Sequence, residues 1–541
     1  MSRRLAWVLV ALAVLASAAI RLRLLEVPLD RDEGEYAYVG QLLLQGVPPY
    51  ATAYNFKMPG IYGIYALILA IFGPTPTGIH LGLLVVNAAT IVLVFLVAVR
   101  LFNTTVGVAA SAAFAALSLS PRLFSPTAYA EHFVLPLALA GMLALFRAID
   151  SRRPLAFFGG GALFGAAFLV KQSGGAFALF AVLYVAAAAP GGVHRRLGLC
   201  AALVAGALAP LAALFLLMAL TGTFATFWFW TFTYAFEYAT AVPLAAGGSN
   251  FVGSLGSILP TSYLAAGLAA LGLSAIAWDE RARARRAVIG LLCACSLLAT
   301  GTGLHFRNQY FVLMLPALSL LAGIAVDSMT RVLSSVRAPL LRYGAAIVLA
   351  SVPLLHLVYL ERAILFEGTP QQIARALYGR NPFPESVEIA RYIRERTSRE
   401  DRIAVVGSEP QIYFYADRQA ATGYIYTYAL MEPHPYAAAM QRQMIDEIEA
   451  ANPRFVVYVK VWTSWLVGTD SDQTVFRWFE EYRKGFDQVG VVDIISLQRT
   501  TYRWGPEAAA YTPRSDYWLA VFRRRSEAPT TPRPASSPPT R

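Results

Sequence analysis

Apolar stretches of helix-spanning length recur along this chain from Leu5 to Leu360. Each is close to the ~20 residues an α-helix needs to cross ~30 Å of hydrocarbon. In lipid a backbone must satisfy its own hydrogen bonds, which leaves helices and closed barrels as spanning structures. Composition agrees: 57% of residues are hydrophobic and 14% charged, whereas soluble domains run nearer a quarter charged. The chain therefore reads as a polytopic α-helical membrane protein. The apolar runs fall at 5–24, 79–99, 104–120, 126–146, 155–170, 174–190, 197–220, 257–277, 287–304, 310–326 and 343–360, about eleven transmembrane helices. The run at 60–73 is too short to cross and reads as an interfacial helix. Arg3 and Arg4 before an apolar run, with "ASAA" after it, resemble a cleaved signal peptide. The run continues through Leu22, Leu24 and Leu25, which favours an uncleaved first helix. Cys200, Cys293 and Cys295 all fall in apolar segments, so neither a disulfide framework nor a zinc pattern is present.

The net charge is +12, and its placement carries the information. With the N-terminus cytoplasmic, the inner loops collect Arg100, Arg147, Arg152, Arg153, Arg195, Arg196, the "DERARARR" arginines 281, 283, 285 and 286, and Arg331, Arg337 and Arg342. That is the bias expected of cytoplasmic loops. It puts everything after Leu360 outside, and a nucleic-acid partner is not expected. The basic residues left on the outer side are few: Arg21, Arg23, Arg31, Lys57, Arg122, Lys171 and Arg307. Several share that side with Asp32, Glu33 and Glu131. Carboxylates and cations gathered at one membrane face mark a candidate functional site.

The first outer loop, 25–78, opens with "LDRDEGEYAY". A helix starting there would use Asp30 or Asp32 as its cap. Capping does not explain the remaining acids, and Asp32 is the chemical candidate, with Glu33 beside it. Asp30 and Glu35 are expected to be solvated. Lys57 precedes "MPG" and either snorkels or holds a phosphate. Glu131 and His132 open the fourth span, and Lys171 interrupts an apolar stretch with almost no loop around it. His305 and Arg307 lie in the equally short "LHFRNQ". Arginine suits bidentate recognition of phosphate. The aromatic segment 221–256 anchors in the interface, or lines a lipid portal or a sugar site.

"RDEGEYAY", "KMPGIYGIYALILAIFGPTPTGIHLGLLVVNAATIVLVFLVAVRLF", "YAEHFVLPLALAGMLALFRA", "FLVKQSGG" and "HFRNQYFVLMLPALSLLAG" together resemble the type C glycosyltransferases. The resemblance is to the protein O-mannosyltransferase superfamily, glycosyltransferase family 39-like, which includes the bacterial lipid A aminoarabinose transferases. It runs in order over about 1–330. It implies a bacterial cell-membrane enzyme that takes a sugar from a polyprenyl-phosphate donor at the outer face and passes it to a protein, lipid or cell-wall glycan, with inversion. Asp32 and Glu33 match the family's acidic pair. Lys57 matches a basic position before proline, and Glu131 an acidic position in the second outer loop. Lys171, His305 and Arg307 fall near positions expected to meet the carrier phosphate. Met58-Pro59-Gly60 and "RNQ" depart from the usual motifs. As a cofactor, a divalent cation shared by Asp32, Glu33 and Glu131 is possible, though no spacing argues for one.

These readings divide the chain into a membrane domain at 1–360, an extracytoplasmic α/β domain at 361–525 and a disordered tail at 526–541. "SVEIARYIRERT" and "QTVFRWFEEYRKGF" read as helices, and "RIAVVG", "RFVVYV" and "DYWLAVFRR" as strands. A P-loop and a GxGxxG motif are absent. The rival reading is a transporter or flippase of lipid-linked sugars. Transporters often carry internal repeats with charge near the midplane; this chain shows no repeat, and its charges gather at one face. A non-catalytic scaffold would not need Asp32, Lys57, Glu131, Lys171 and Arg307 on one side.

Overall fold

The computed structural model describes residues 1–333 and 339–525. The chain divides into two compact units, Met1–Gly379 and Arg380–Arg541. The expectations for Arg337, the Arg342 side chain and the tail at 526–541 lie outside the described residues.

The first unit is helical. Its main helices are α1 (Arg3–Leu22), α2 (Arg31–Leu44), α3 (Gly60–Phe72), α4 (Pro76–Leu101), α5 (Thr104–Leu117), α6 (Ala130–Ser151), α7 (Pro154–Val170), α8 (Gly175–Ala188) and α9 (Val193–Leu220). They continue with α10 (Leu244–Trp278), α11 (Arg286–Thr300), α12 (Leu315–Val332), α13 (Pro339–Leu360) and α14 (Pro370–Tyr378). Local chemistry sets their starts. Ser2, Thr75 and Asn103 accept backbone N–H groups in the first turns of α1, α4 and α5, and Pro76 opens α4.

Among the described residues, six helices are long and apolar enough to cross a membrane: α1, α4, α6, α9, α10 and the stretch Asn308–Val332 that contains α12. Four of the other expected spans fold as apolar helices of 10–17 residues, as do α3 and the part of α13 at Gly344–Leu360. Glycines let these helices meet closely. A Cβ at Gly161 would lie 2.0 Å from the Leu203 carbonyl oxygen, and one at Gly165 2.2 Å from that of Ala207. The α7 and α9 backbones therefore touch.

α14 belongs to the first unit. Its Ile373 and Ala374 pack with Leu24, Val27, Leu119 and Leu365. Composition places the domain change at 360, but this amphipathic helix carries its apolar face back onto the bundle, so the first unit runs to Gly379.

The second unit holds α15 (Phe383–Arg394), α16 (Ala437–Ala451) and α17 (Thr474–Tyr482) with a five-stranded sheet. Strands β1 (Ile403–Val406), β2 (Phe455–Lys460), β3 (Phe486–Ile494), β4 (Thr500–Trp504) and β5 (Trp518–Arg524) lie in the order β1-β2-β5-β3-β4. Only β1 and β2 pair in parallel; the other pairings are antiparallel. Tyr392 of α15 stacks on Trp504 at 4.2 Å, and Phe479 of α17 on Tyr458 at 4.6 Å, which fixes both helices on the sheet.

Candidate active site

The acidic segment builds the start of α2. Asp30 is the N-cap: its carboxylate accepts the Glu33 N–H at 2.9 Å, while Glu33 Oε2 accepts the Asp30 N–H at 3.3 Å. This reciprocal capping box satisfies two orphan donors of the helix. Glu33 also accepts the Ala128 N–H at 2.6 Å and lies 3.1 Å from His80 Nε2. Only 1% of Glu33 is exposed. It clamps α2 to the loop before α6 and to α4, and the structure turns it away from Asp32.

Asp32 and Glu35 stand three residues apart, on one helix face. Lys57 Nζ lies 2.6 Å from each carboxylate and 4.6 Å from the centre of the Tyr36 ring. Glu35 also accepts from Asn55 at 2.8 Å and from Tyr62 at 2.6 Å. Sequence reasoning leaves Glu35 and Asp30 in solvent; the structure buries both. Burial raises the Glu35 pKa, with Lys57 opposing it. Burial also works against the Lys57 charge, but Asp32 and Glu35 outweigh it and push that pKa up. Burial, reinforced by Asp32 and Glu33, lifts Asp30 to about 8. Among the four carboxylates between 30 and 35, Asp32 keeps the accessible one, 23% exposed.

A second ion pair lies on neighbouring elements. Glu131, in the first turn of α6, is buried and bonded to Lys171. Lys171 leaves α7 in an extended conformation and sits 4.0 Å over the Tyr310 ring. Tyr310 also lies in electrostatic range of Arg307, Glu131 and Asp32. Gln172 donates to the Phe56 carbonyl at 2.7 Å and ties the Lys171 turn to the Lys57 loop.

Aromatic stacking joins the third part. Phe56 stacks on Tyr238 at 4.5 Å, and Tyr238 on His305 at 4.4 Å. His305 therefore meets the site through Tyr238, and burial and Arg307 lower its pKa. Leu304 and Phe306, on either side of it, have φ of 57° and 46°, a left-handed geometry that is strained for bulky side chains. The aromatic segment around 224–238 packs on the first loop rather than standing free: Phe227 against Tyr50 and Trp230 against Tyr54.

Among the described residues, no three His, Cys, Asp or Glu side chains are placed to hold a metal ion. Glu33 faces His80 and Glu131 faces Lys171, so the three carboxylates read from sequence as a divalent-cation set do not converge.

The chain superimposes on the crystal structure of ArnT from Cupriavidus metallidurans bound to undecaprenyl phosphate with a TM-score of 0.59, covering 96% of this chain and 98% of that one at 16% identity. The chain has the type C glycosyltransferase fold. The same ArnT in its apo state gives a TM-score of 0.60, again at 16% identity and covering 96% of this chain and 98% of that one. The archaeal oligosaccharyltransferase AglB from Archaeoglobus fulgidus, in complex with an inhibitory peptide and a dolichol-phosphate, gives 0.53 at 10% identity, covering 92% of this chain and 74% of that one. Residues 57–212 match the dolichyl-phosphate-mannose-protein mannosyltransferase family. No curated protein matches the chain in sequence. The fold, the family match over residues 57–212 and the apolar helices together make the chain a multi-pass membrane protein.

Proposed function

We propose that the chain transfers a sugar from a polyprenyl-phosphate-linked donor to a protein, lipid or glycan acceptor at the extracytoplasmic face of a bacterial cell membrane, with inversion. The observation that carries this reading is Asp32, an accessible carboxylate held by Lys57, in electrostatic range of the Tyr310 that Lys171 covers. The matched family and the lipid phosphate in the superimposed structures support the donor class.

In a single displacement, an acceptor hydroxyl attacks the anomeric carbon as the bond to the phosphate oxygen breaks. Asp32 takes the hydroxyl proton. Lys57, Lys171 and Arg307 supply positive charge where the leaving phosphate gains negative charge. His305 fixes the wall beside Arg307. Were the acceptor itself a phosphate, no base would be needed, and Asp32 would orient it. Glu33 and Glu35 hold the site's shape. The extracytoplasmic assignment follows from the arginine clusters, which lie in the loops assigned to the cytoplasm.

The test incubates purified protein with a panel of radiolabelled polyprenyl-phosphate sugars and membrane extract. Wild type transfers label, and Asp32→Asn lowers kcat by about 10²–10⁴, the span of general-base catalysis. No transfer from any donor would sink the transferase reading and leave a flippase as the better account. Equal transfer by the variant would remove Asp32 from the mechanism.

A further inference from the structure

Arg122 is one of the few outer basic residues that the chemistry above does not use. It stands in the turn Pro121–Leu123, with its side chain half exposed, and its Nε lies 3.3 Å from the carboxylate of Glu361, which is only 3% exposed. The pair borders a cavity of about 380 Å³ that also touches Phe124, Ser257, Asn308 and Leu377. Ligand pockets typically begin near this size, apolar with a few placed polar groups.

Two local conformations shape this cavity. Phe124 has φ 51° and ψ 32°, left-handed geometry for a bulky residue, and its ring stacks on Tyr378 at 5.8 Å with planes 7° apart. After α13 the chain forms a π-turn at Ala363–Glu367, whose Ala363 and Ile364 line the cavity. Both features are uncommon and concentrate at functional sites. A second hollow of about 280 Å³ shares Ala363, Ile364 and Ala376 and leads toward Glu367 and Gln372.

The lining chooses among ligands. Glu361 works against an anion, and Arg122 against a cation. Together they offer acceptor oxygens and fixed N–H donors to neighbouring hydroxyls. Asn308 and Ser257 bond to each other at 2.8 Å and add two further polar groups. The Phe124 ring and Leu377 offer an apolar wall. This combination fits a neutral sugar ring, polar at its rim and apolar on its face.

We propose that this cavity is a saccharide subsite separate from the Asp32 site. Resting on the transferase reading, we assign it to a sugar unit of the acceptor. Asn308 adjoins Arg307 in sequence and donates to the Arg122 carbonyl at 2.9 Å, so the subsite and the catalytic group share a wall. The donor sugar is the other source of the same chemistry.

Saturation-transfer NMR on the purified full chain tests the subsite with methyl glycosides of glucose, mannose, galactose and arabinose. At least one gives signal on wild type and on Asp32→Asn, and loses it on Glu361→Gln and on Ala376→Phe, which fills the cavity. Melting curves identify any variant that has unfolded, and the second variant then carries the test. No signal on wild type, or unchanged signal on both folded variants, would overturn the subsite. Signal lost on Asp32→Asn but kept on Glu361→Gln would move the sugar to the catalytic site. In transfer assays Ala376→Phe raises the acceptor KM about ten-fold and leaves the donor KM nearly unchanged; the reverse pattern would overturn the assignment to the acceptor. Binding is read without turnover, so failure of the transferase reading leaves the subsite to stand or fall separately.

Discussion

Lys57 sits between two carboxylates, one buried and one accessible. Removing it leaves Glu35 buried without its counter-charge. Lys57→Met should therefore cost about 3–5 kcal/mol, the usual penalty for breaking a buried pair. Glu35→Gln keeps an oxygen for the Tyr62 hydroxyl and should cost less. The double variant should recover part of the Lys57→Met loss; thermal unfolding of the three proteins measures the coupling. Asp30 supplies a pH prediction. Its folded pKa of about 8 lies above the ordinary carboxylate value of 3.8, so the folded state holds more protons between these values. Its contribution to stability is complete below the lower value and is lost as pH rises through the upper one. Asp30→Asn keeps a good cap, and its unfolding temperature should fall less between pH 5 and 9 than that of wild type. A slope equal to wild type would refute this. The cap role of Asp30 was legible from its place before the helix, and Glu33 follows the spacing of a capping box. Glu35 was not legible. Its partners Asn55 and Tyr62 are 20 and 27 residues away, so local pattern carries no sign of its burial.

Helices were the legible elements, because apolar runs mark where they lie, though not their length: the run at 257–277 folds as Leu244–Trp278. Their contacts were less so. Nothing in the run "LAFFGGGALFG" says which glycine meets another backbone; in the fold Gly161 and Gly165 face α9 and Gly159 meets open space. A side chain at Gly161 must push α7 off α9. Gly161→Val should lower stability by about 1–3 kcal/mol, while Gly159→Val should change it by less than half as much. Equal melting temperatures would contradict the packing. In the second unit, β1, β2 and β5 announce themselves as hydrophobic runs. β3 and β4 do not: "FDQVGVVDI" carries an irregularity between Gln488 and Gly490, and "TTYRW" is half-exposed. Period-two alternation is weak in both. The aromatic segment after Gly222 reads as an anchor in the interface, a lipid-portal wall or a sugar site. Its rings cover Tyr50, Tyr54 and Phe56, a tertiary choice that composition leaves open.

At the scale of the whole molecule, one choice of orientation governs every functional assignment. The loops that bear Asp32, Lys57, Glu131, Lys171 and Arg307 must face the side that holds the lipid-linked donor. The arginine clusters support the proposed orientation, since a bias in short loops sets topology. The exposed Arg283 stands for the cytoplasmic side, and the exposed Ala51, in the first loop, for the outer side. The exposed Gln498 reports on the second unit. With Cys200, Cys293 and Cys295 replaced by alanine, single cysteines can be placed at each position in turn. A membrane-impermeant maleimide applied to intact cells should label Ala51→Cys and Gln498→Cys, and should reach Arg283→Cys only after lysis. Labelling of Arg283→Cys in intact cells, with Ala51→Cys silent, would reverse the topology. The acidic and basic groups would then face the cytoplasm, and a donor presented at the outer face could not reach Asp32. Labelling of Ala51→Cys without Gln498→Cys would break only the inference that the last helix crosses outward, leaving the catalytic group where it is proposed and moving the second unit inside.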